Sequence, residues 1–521
     1  MSVFRTAGGR WRLPGRRLPA VAASALAAAG LTGGAVLASA GPAAAAPAAA
    51  PPAVTGTIGV GTNPDRVAVD ALTGTVYVVN EGDNTVSVID GHTNMVTGTI
   101  MFPAGVFPSA VAVDALTDTV YVTNNPSAQV DGTVFVIDGH SNMITEPPIG
   151  VGVGPVAVAV NPLTGTVYVA NSNDASVSVI SGTTVTTVDV GIGPSGVAVN
   201  PVTGTVYVAQ EADVSVINGT TVTGTITTGF LGRGGAQVAV SPLTGTVYAT
   251  LHASPGTVFV ISAKTDMITG TITVPGFPEG IAVAPVSGTV FVTNGGFGGD
   301  NSVSVINGTT VTATITGFNN PQGVAVSPLT GAVYVANNNF GAPPGTVSVI
   351  SFSPCTTTIT GTVSGLTTGP GITCVAPGTV ITGPVTVKAG ASVLIQGAQL
   401  QGPLSAKDAA TVVVCGTTIS GNVEVTDSTG PVLLGTGAGS ACAPDTLGGA
   451  VSLTGNTTGV VLAGDTIGGA VALTRNATEV VVAGNTITGS LSCNGNNPAP
   501  TDNGRPNIVT GLASGQCSAL A

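Results

Sequence analysis

The sequence predicts an all-β chain with two repeat architectures in series: a seven-bladed β-propeller of four-stranded antiparallel blades, then a C-terminal parallel β-helix-like domain. Three observations predict it. A pattern reading V-A-V, turn, V-Y-V, loop, V-S-V-I recurs seven times, at a spacing of about forty residues, the period of propeller blades. After Cys355 the period shortens to about twenty residues, as GGAVSLTGNTTGVVLAGDTI from Gly448 and GGAVALTRNATEVVVAGNTI from Gly468 show, a length suited to one coil of a stacked β-solenoid. Throughout, apolar residues alternate with Thr, Ser and Ala in short runs broken by Gly, Pro and Asn, which is strand-and-turn patterning.

Residues 1–46 are read as an export signal and Ala/Pro-rich leader. Arg5, Arg10, Arg12, Arg16 and Arg17 precede an Ala-rich apolar stretch ending in Ala38-Ser39-Ala40, the order of a secretory signal. Cleavage is expected, leaving no integral membrane anchor, and the general secretory route is the default over a twin-arginine one. Five of the twelve basic residues leave with the signal, so seven Lys and Arg face 24 Asp and Glu. That acidic balance excludes nucleic acid as an expected partner, because phosphate binding rests on concentrated Lys and Arg. Trp11, the only tryptophan, leaves too, which argues against the quinone-cofactor propellers and their Trp-containing blade motif. No cofactor is expected.

Residues 53–352 are read as the propeller. The first strand of each copy holds a small residue between β-branched ones (Ala68, Ala112, Ala159, Ala198, Ala239, Ala282, Ala325), as a crowded axial strand requires. The turn that follows, Asn161-Pro162-Leu163-Thr164-Gly165 in one copy, uses Pro to preset φ and Gly to accept a positive one. The second strand carries Tyr77, Tyr121, Tyr168, Tyr207, Tyr248 or Tyr334, with Phe291 in the sixth copy, so the repeat absorbs all six tyrosines. An outer strand such as Met95 to Ile100 completes a blade. Two segments compete to complete the seventh: Ala53 to Ile58 and Cys355 to Val363. We assign it to Ala53–Ile58, paired with Thr346–Ile350.

The run Tyr121-Val122-Thr123-Asn124, with the variants Tyr77-Val78-Val79-Asn80 and Tyr168-Val169-Ala170-Asn171, resembles the YVTN family of propeller repeats over residues 53–352. The resemblance implies the fold and places the chain among exported proteins with envelope and adhesion roles. It does not assign a site.

Residues 355–521 are read as the disulfide-stapled β-helix-like domain. All six cysteines lie there: Cys355, Cys374, Cys415, Cys442, Cys493 and Cys517. An even number in an exported chain, with no C-x-x-C pair and no nearby His, reads as disulfides rather than zinc. Pairing in sequence order closes three short loops, and fifteen connectivities are formally open. The segment from Leu491 to Cys517 resembles the end of a module of exported actinobacterial proteins. The resemblance implies no activity.

Ligands of propellers sit at the axis, so the candidate site is sought in the loops at the face where first strands begin. Arg233, His252 and Glu279 fall there, with Glu211 and Asp213 in the fourth copy. Together an Arg, a His and a carboxylate would bind an acidic or lactone-like ligand or perform acid–base work. Phe107, Phe230, Phe277, Phe297, Phe318 and Phe340 collect in the same loops. Of these, Phe277, Phe297, Phe318 and Phe340 are the candidates for ligand binding by stacking. His92 and His140 recur as Ile-Asp-Gly-His on the opposite face and read as turn residues. Asp83, Asp131 and Asp300 lack the D-x-D-x-D-G spacing of a calcium loop, and no metal is expected. There is no G-x-S-x-G, H-E-x-x-H or P-loop. Asn218, Asn307, Asn456 and Asn476 begin glycosylation sequons, which carry little weight among turn-rich repeats.

The leading expectation is a secreted, non-catalytic binding or scaffold protein at the envelope, taking a polysaccharide or protein partner on the propeller face. The alternative is a propeller hydrolase or lyase, of lactonase or streptogramin-lyase type, working from Arg233, His252 and Glu279. No catalytic motif of those enzymes matches here.

Overall fold

The computed structural model describes residues 52–521 except 72, 116, 127, 128, 146, 163, 202, 230–235, 243, 286, 297, 298, 328–330, 340–343, 354, 436–443, 458, 478, 479, 503 and 504. These residues form strands and turns, with no helix long and apolar enough to cross a membrane among them.

Between Ala53 and Ser351 the strands form seven antiparallel sheets. The first strands of the blades (Pro64–Val69, Pro108–Asp114, Pro155–Asn161, Gly196–Val199, Val238–Val240, Pro278–Val283 and Pro321–Val326) each contact the next, and the last contacts the first. The ring is closed. Its closing blade is completed by Ala53–Val60, which pairs antiparallel with Gly345–Ser351, from Ala53 opposite Ser351 to Val60 opposite Gly345. The second blade departs from the four-strand expectation, because its outer strand is split into Met143–Ile144 and Ile149–Val153. Pro147 and Pro148 lie between the halves, and proline has no N–H to give the ladder.

The conserved-looking pattern has a physical account. Valines of the second and third strands point into seven separate interblade cores, each organised around one aromatic: Tyr77, Tyr121, Tyr168, Tyr207, Tyr248, Phe291 or Tyr334. The Asn that ends the YVxN run ties the second strand to the third. Asn80 Nδ2 donates to Thr85 Oγ1 at 3.0 Å and Ser87 Oγ at 2.9 Å, and Asn171, Asn294 and Asn337 repeat this arrangement. In the first hairpin, Asp70 Oδ1 accepts Thr73 N at 2.8 Å, and Gly74 turns the chain at φ 76°. The second copy has Asp118 at the equivalent of Gly74, held at φ 52°.

From Thr357 onward three parallel sheets of seven, eight and eight strands stack into a three-sided solenoid of about seven turns. Val, Leu and Ile of every coil meet in one continuous core. Partners in the first sheet lie about twenty residues apart, as with Val393 and Val412 or Val460 and Val480, whereas Val432 pairs Val460 because the intervening coil is longer. Two polar columns run inside the stack. Asn456, Asn476 and Asn496 each bond the next coil's amide side chain, ending on Gln516. Asp445, Asp465, Asn485 and Asn507 form the second column. Asn456 and Asn476 are fully buried rungs, so their sequons are structural.

The stapled ends follow the expected pairing. Cys355–Cys374, with Cα atoms 5.6 Å apart, ties the first coil to the second, and Cys493–Cys517, 5.3 Å apart, ties the last two. Cys415 is also disulfide-bonded, while Cys442, its partner in sequence order, lies outside the described residues. Disulfides of this kind persist in oxidising surroundings.

Candidate functional site

Each first strand starts at the axis on the face where the second strand ends, as the pairing of Pro64 with Asn80 and of Pro278 with Asn294 shows. Two positions per blade therefore fall at the axial mouth. One opens the first strand: Asp65, Ser109, Val156, Ser195, Ala236, Glu279 or Gln322. The other follows the YVxN position: Glu81, Asn125, Ser172, Glu211, His252, Gly295 or Asn338. The framework around them repeats, and these positions do not.

Two adjoining cavities occupy the mouth. The larger, about 420 Å³, is walled by Asp65, Glu81, His252, Phe277, Glu279, Gly296, Asn320, Gln322 and Asn338. The smaller, about 140 Å³, is walled by Asp65, Arg66, Glu81, Ser109, Asn125, Val156, Ser172 and Ser195. Asp65 and Glu81 belong to both, so they form the partition.

His252 Nε2 lies 3.0 Å from Glu279 Oε1, and the Phe277 ring leans on the imidazole at 5.3 Å with the planes at 53°. Phe277 sits at φ 55°, where Asn63 and Asn320 occupy the equivalent place at 51° and 52° and Gly154 and Gly193 do so in other copies. A bulky residue in this region costs about 1–3 kcal/mol. Two backbone bonds hold it, Phe277 N to Ala253 O at 2.7 Å and Gly295 N to Phe277 O at 3.1 Å. Asn320 Oδ1 accepts Gly296 N at 2.7 Å and Gln322 Nε2 at 3.0 Å, fixing the amide wall.

The charges are unequal. Arg66 Nε approaches Asp65 Oδ2 at 3.4 Å. Burial raises the Asp65 carboxyl above the usual range, Arg66 opposes that shift, and Glu279 adds to it. Glu81 is pushed up to about 7 by the protein packed around it and by Asp65, again opposed by Arg66. Its carboxylate faces the open cavity, so water there moderates the energetic weight of that shift. The bond to Glu279 raises the His252 pKa, against the opposite pull of burial. Among the described residues no three His, Cys, Asp or Glu side chains are placed to hold a metal ion.

The structure thus brings His252, Glu279 and Phe277 together, and Arg233 lies outside the described residues. Phe297, Phe340 and Phe230 lie outside them as well. Phe318 corrects the expectation of an aromatic patch: it is 8% exposed, packed with Ile315, Val324 and Val335 between blades six and seven. Its loop turns inward because the apolar edge there needs covering. Phe107 is 46% exposed but lines neither cavity, and Glu211 and Asp213 line neither. Asp83 accepts Thr62 N at 2.7 Å, bracing its loop. On the opposite face Asp90 caps the turn through the His92 and Thr93 amides. Asp65, Arg66, Glu81, Asn320, Gln322 and Asn338 were not singled out by motif. Laying the copies in register and asking which positions vary would have found them.

No family model and no curated protein matches the chain. Among solved structures, hydrazine synthase of Kuenenia stuttgartiensis is similar at 20% identity and a TM-score of 0.49, covering 56% of this chain and 97% of that one. The WD40 β-propeller domain of Doa1 aligns at 13% identity and 0.47, covering 58% and 97%. A chain of a mitotic checkpoint complex aligns at 13% and 0.49, covering 58% and 92%. Likenesses this distant say nothing of what the chain does, and the fold rests on its own strand pairing.

Proposed function

We propose that this is an exported binding protein that takes an envelope polysaccharide or protein partner into the axial mouth of its propeller, with the solenoid as a stapled second arm. The observation that carries the reading is the pair of cavities whose walls include eleven of the fourteen positions at which otherwise similar blades differ. A closed ring supplies rigidity, and variation of the residues it points at the axis supplies specificity. The disulfides at the solenoid ends suit life outside the cytoplasm. A hydrolytic or lyase role is less well supported. His252 Nε2 is engaged by Glu279 in a bond that favours the imidazolium, which suits positioning better than proton abstraction.

The test is retention of the purified chain, freed of its leader, on isolated cell-wall polysaccharide and peptidoglycan. Wild type is compared with a Gln322→Ala, Asn338→Ala variant, which opens the amide wall. Retention by wild type that the variant loses supports the reading. Passage of wild type through both matrices overturns the polysaccharide partner.

A further inference from the structure

Three carboxylates, Asp65, Glu81 and Glu279, face the larger cavity together with the Phe277 ring. Arg66 is engaged by Asp65 and His252 by Glu279. The Glu81 N–H donates to Asn63 O at 3.0 Å, but its side chain makes no hydrogen bond or ion pair among the described residues. Within each of the two pairs the charges offset, so the ionised Glu81 carboxylate, an acceptor-only group, leaves the cavity with an uncompensated negative charge beside an aromatic face. A small metal ion is a poor match, because no three ligating groups converge. An ammonium group is a good match: it donates three hydrogen bonds over a wider reach, and an aromatic face attracts it. The adjoining lobe shares Asp65 and Glu81 and adds Arg66, Val156, Asn125 and three serines. Ser109 and Ser195 donate to Pro155 O and Ala236 O at 2.7 and 2.8 Å, which leaves Ser172, Asn125 and Arg66 as the groups that suit the hydroxyls of a sugar.

Resting on the binding role above, we propose that the ligand is a glycan bearing an unacetylated amino sugar, its ammonium seated between Phe277 and the carboxylates of Asp65, Glu81 and Glu279, and the neighbouring sugar in the adjoining lobe. Acetylation removes the charge and adds bulk at the nitrogen, so the N-acetylated form of the same glycan binds weakly.

The test is calorimetric titration of the mature chain with a glucosamine hexamer and with its fully N-acetylated counterpart, alongside the retention assay. The free-amine hexamer is expected to bind roughly tenfold or more tighter than the acetylated one. Glu81→Gln, which breaks no contact of the fold, is expected to remove that preference without lowering the melting temperature. Equal binding of the two hexamers with wall retention intact overturns the amine and leaves the binding role standing. Loss of retention as well overturns the polysaccharide partner too. Tighter binding of a lysine-containing peptide than of the free-amine hexamer overturns the glycan.

Discussion

Phe291 and Phe352 meet edge to face, with ring centroids 5.1 Å apart and planes at 79°. The contact explains why the sixth copy lacks the tyrosine of all the others. In three interfaces the tyrosine hydroxyl reaches the hairpin between the third and outer strands of the next blade. Tyr334 donates to Gly91 O and Asn94 Oδ1 at 3.0 Å, Tyr77 to Gly139 O at 3.3 Å, and Tyr207 to Asp266 Oδ1 at 3.4 Å. The seventh blade has no such hairpin, because its outer strand comes from Ala53–Val60 and the chain leaves after Ser351. A hydroxyl at position 291 would have nothing to meet, and Phe352 fills the place.

The same geometry ranks the tyrosines. Hairpins one, two and five are long, of the form D-G-H-T-N or S-A-K-T-D, whereas three, four and six are short S-G-T or N-G-T turns that stop before the hydroxyl. Tyr334→Phe is therefore expected to cost about 1 kcal/mol, the net worth of a hydrogen bond, and Tyr248→Phe close to nothing. Denaturant unfolding of the two variants checks this, and equal losses would remove the explanation.

Ring closure makes the N-terminal strand a structural part of the last blade. Ile58 lies buried with Tyr334, Val347 and Val349 in the core between blades seven and one. Deleting residues 53–60 is expected to cost about 2–5 kcal/mol from the loss of Ile58 alone and to expose Gly345–Ser351 as a free edge. Scanning calorimetry on the deletion should show the propeller transition moved down. An unchanged transition would mean that the ring does not depend on this strand.

Stability of the solenoid should depend on pH through its second polar column. Burial pushes the Asp445 carboxyl up to about 7, and burial together with the Asp445 charge holds the Asp465 carboxyl well above the usual range. Both groups have folded values above their unfolded ones, so their contribution is fully present below about pH 4 and is lost as pH rises through 7. Melting is thus expected at a higher temperature at pH 5 than at pH 8. Asp465 Oδ1 accepts Asp445 N at 2.8 Å, while its Oδ2 is buried without a partner. The next rung, Asn485, uses its Nδ2 to reach Leu462 O and Asn507 Oδ1. Asp465→Asn should therefore restore the ladder, raise the pH 8 melting temperature and flatten the profile. A variant as pH-sensitive as wild type would place the effect elsewhere.

Much of this architecture was legible from residues alone, and the reason is periodicity. Blade count, the closing segment Ala53–Ile58 and the staples at Cys355–Cys374 and Cys493–Cys517 each follow from where the repeat begins, ends or changes length. The site was legible only in part. His252 and Glu279 stand out as rare charges, but Asp65 and Glu81 lie inside well-kept repeats, where their neighbours draw attention to packing. Phe318 misled for the converse reason: a loop phenylalanine carries no mark of which way its ring turns, and packing against Ile315 and Val324 decided it. The split outer strand of blade two was signalled by Pro147-Pro148.

A steric demand that repeats from coil to coil lies at one corner of the solenoid. Gly383, Gly402, Gly421, Gly449, Gly469, Gly489 and Gly511 stack coil upon coil, and a Cβ on Gly469 would stand 2.5 Å from the backbone of Gly449 and Ala450. Backbone cannot yield as a side-chain tip can, so one methyl group must force two coils apart. Gly469→Ala is expected to cost about 1–3 kcal/mol, the usual range for overpacking. Gly369 supplies the control, since a Cβ there meets nothing within 4 Å, and its change to Ala should be neutral or slightly stabilising through the unfolded chain. Thermal unfolding of the two variants side by side decides the matter: equal stability would mean that the coils slide to admit the methyl group and that the glycine column is not what sets their spacing.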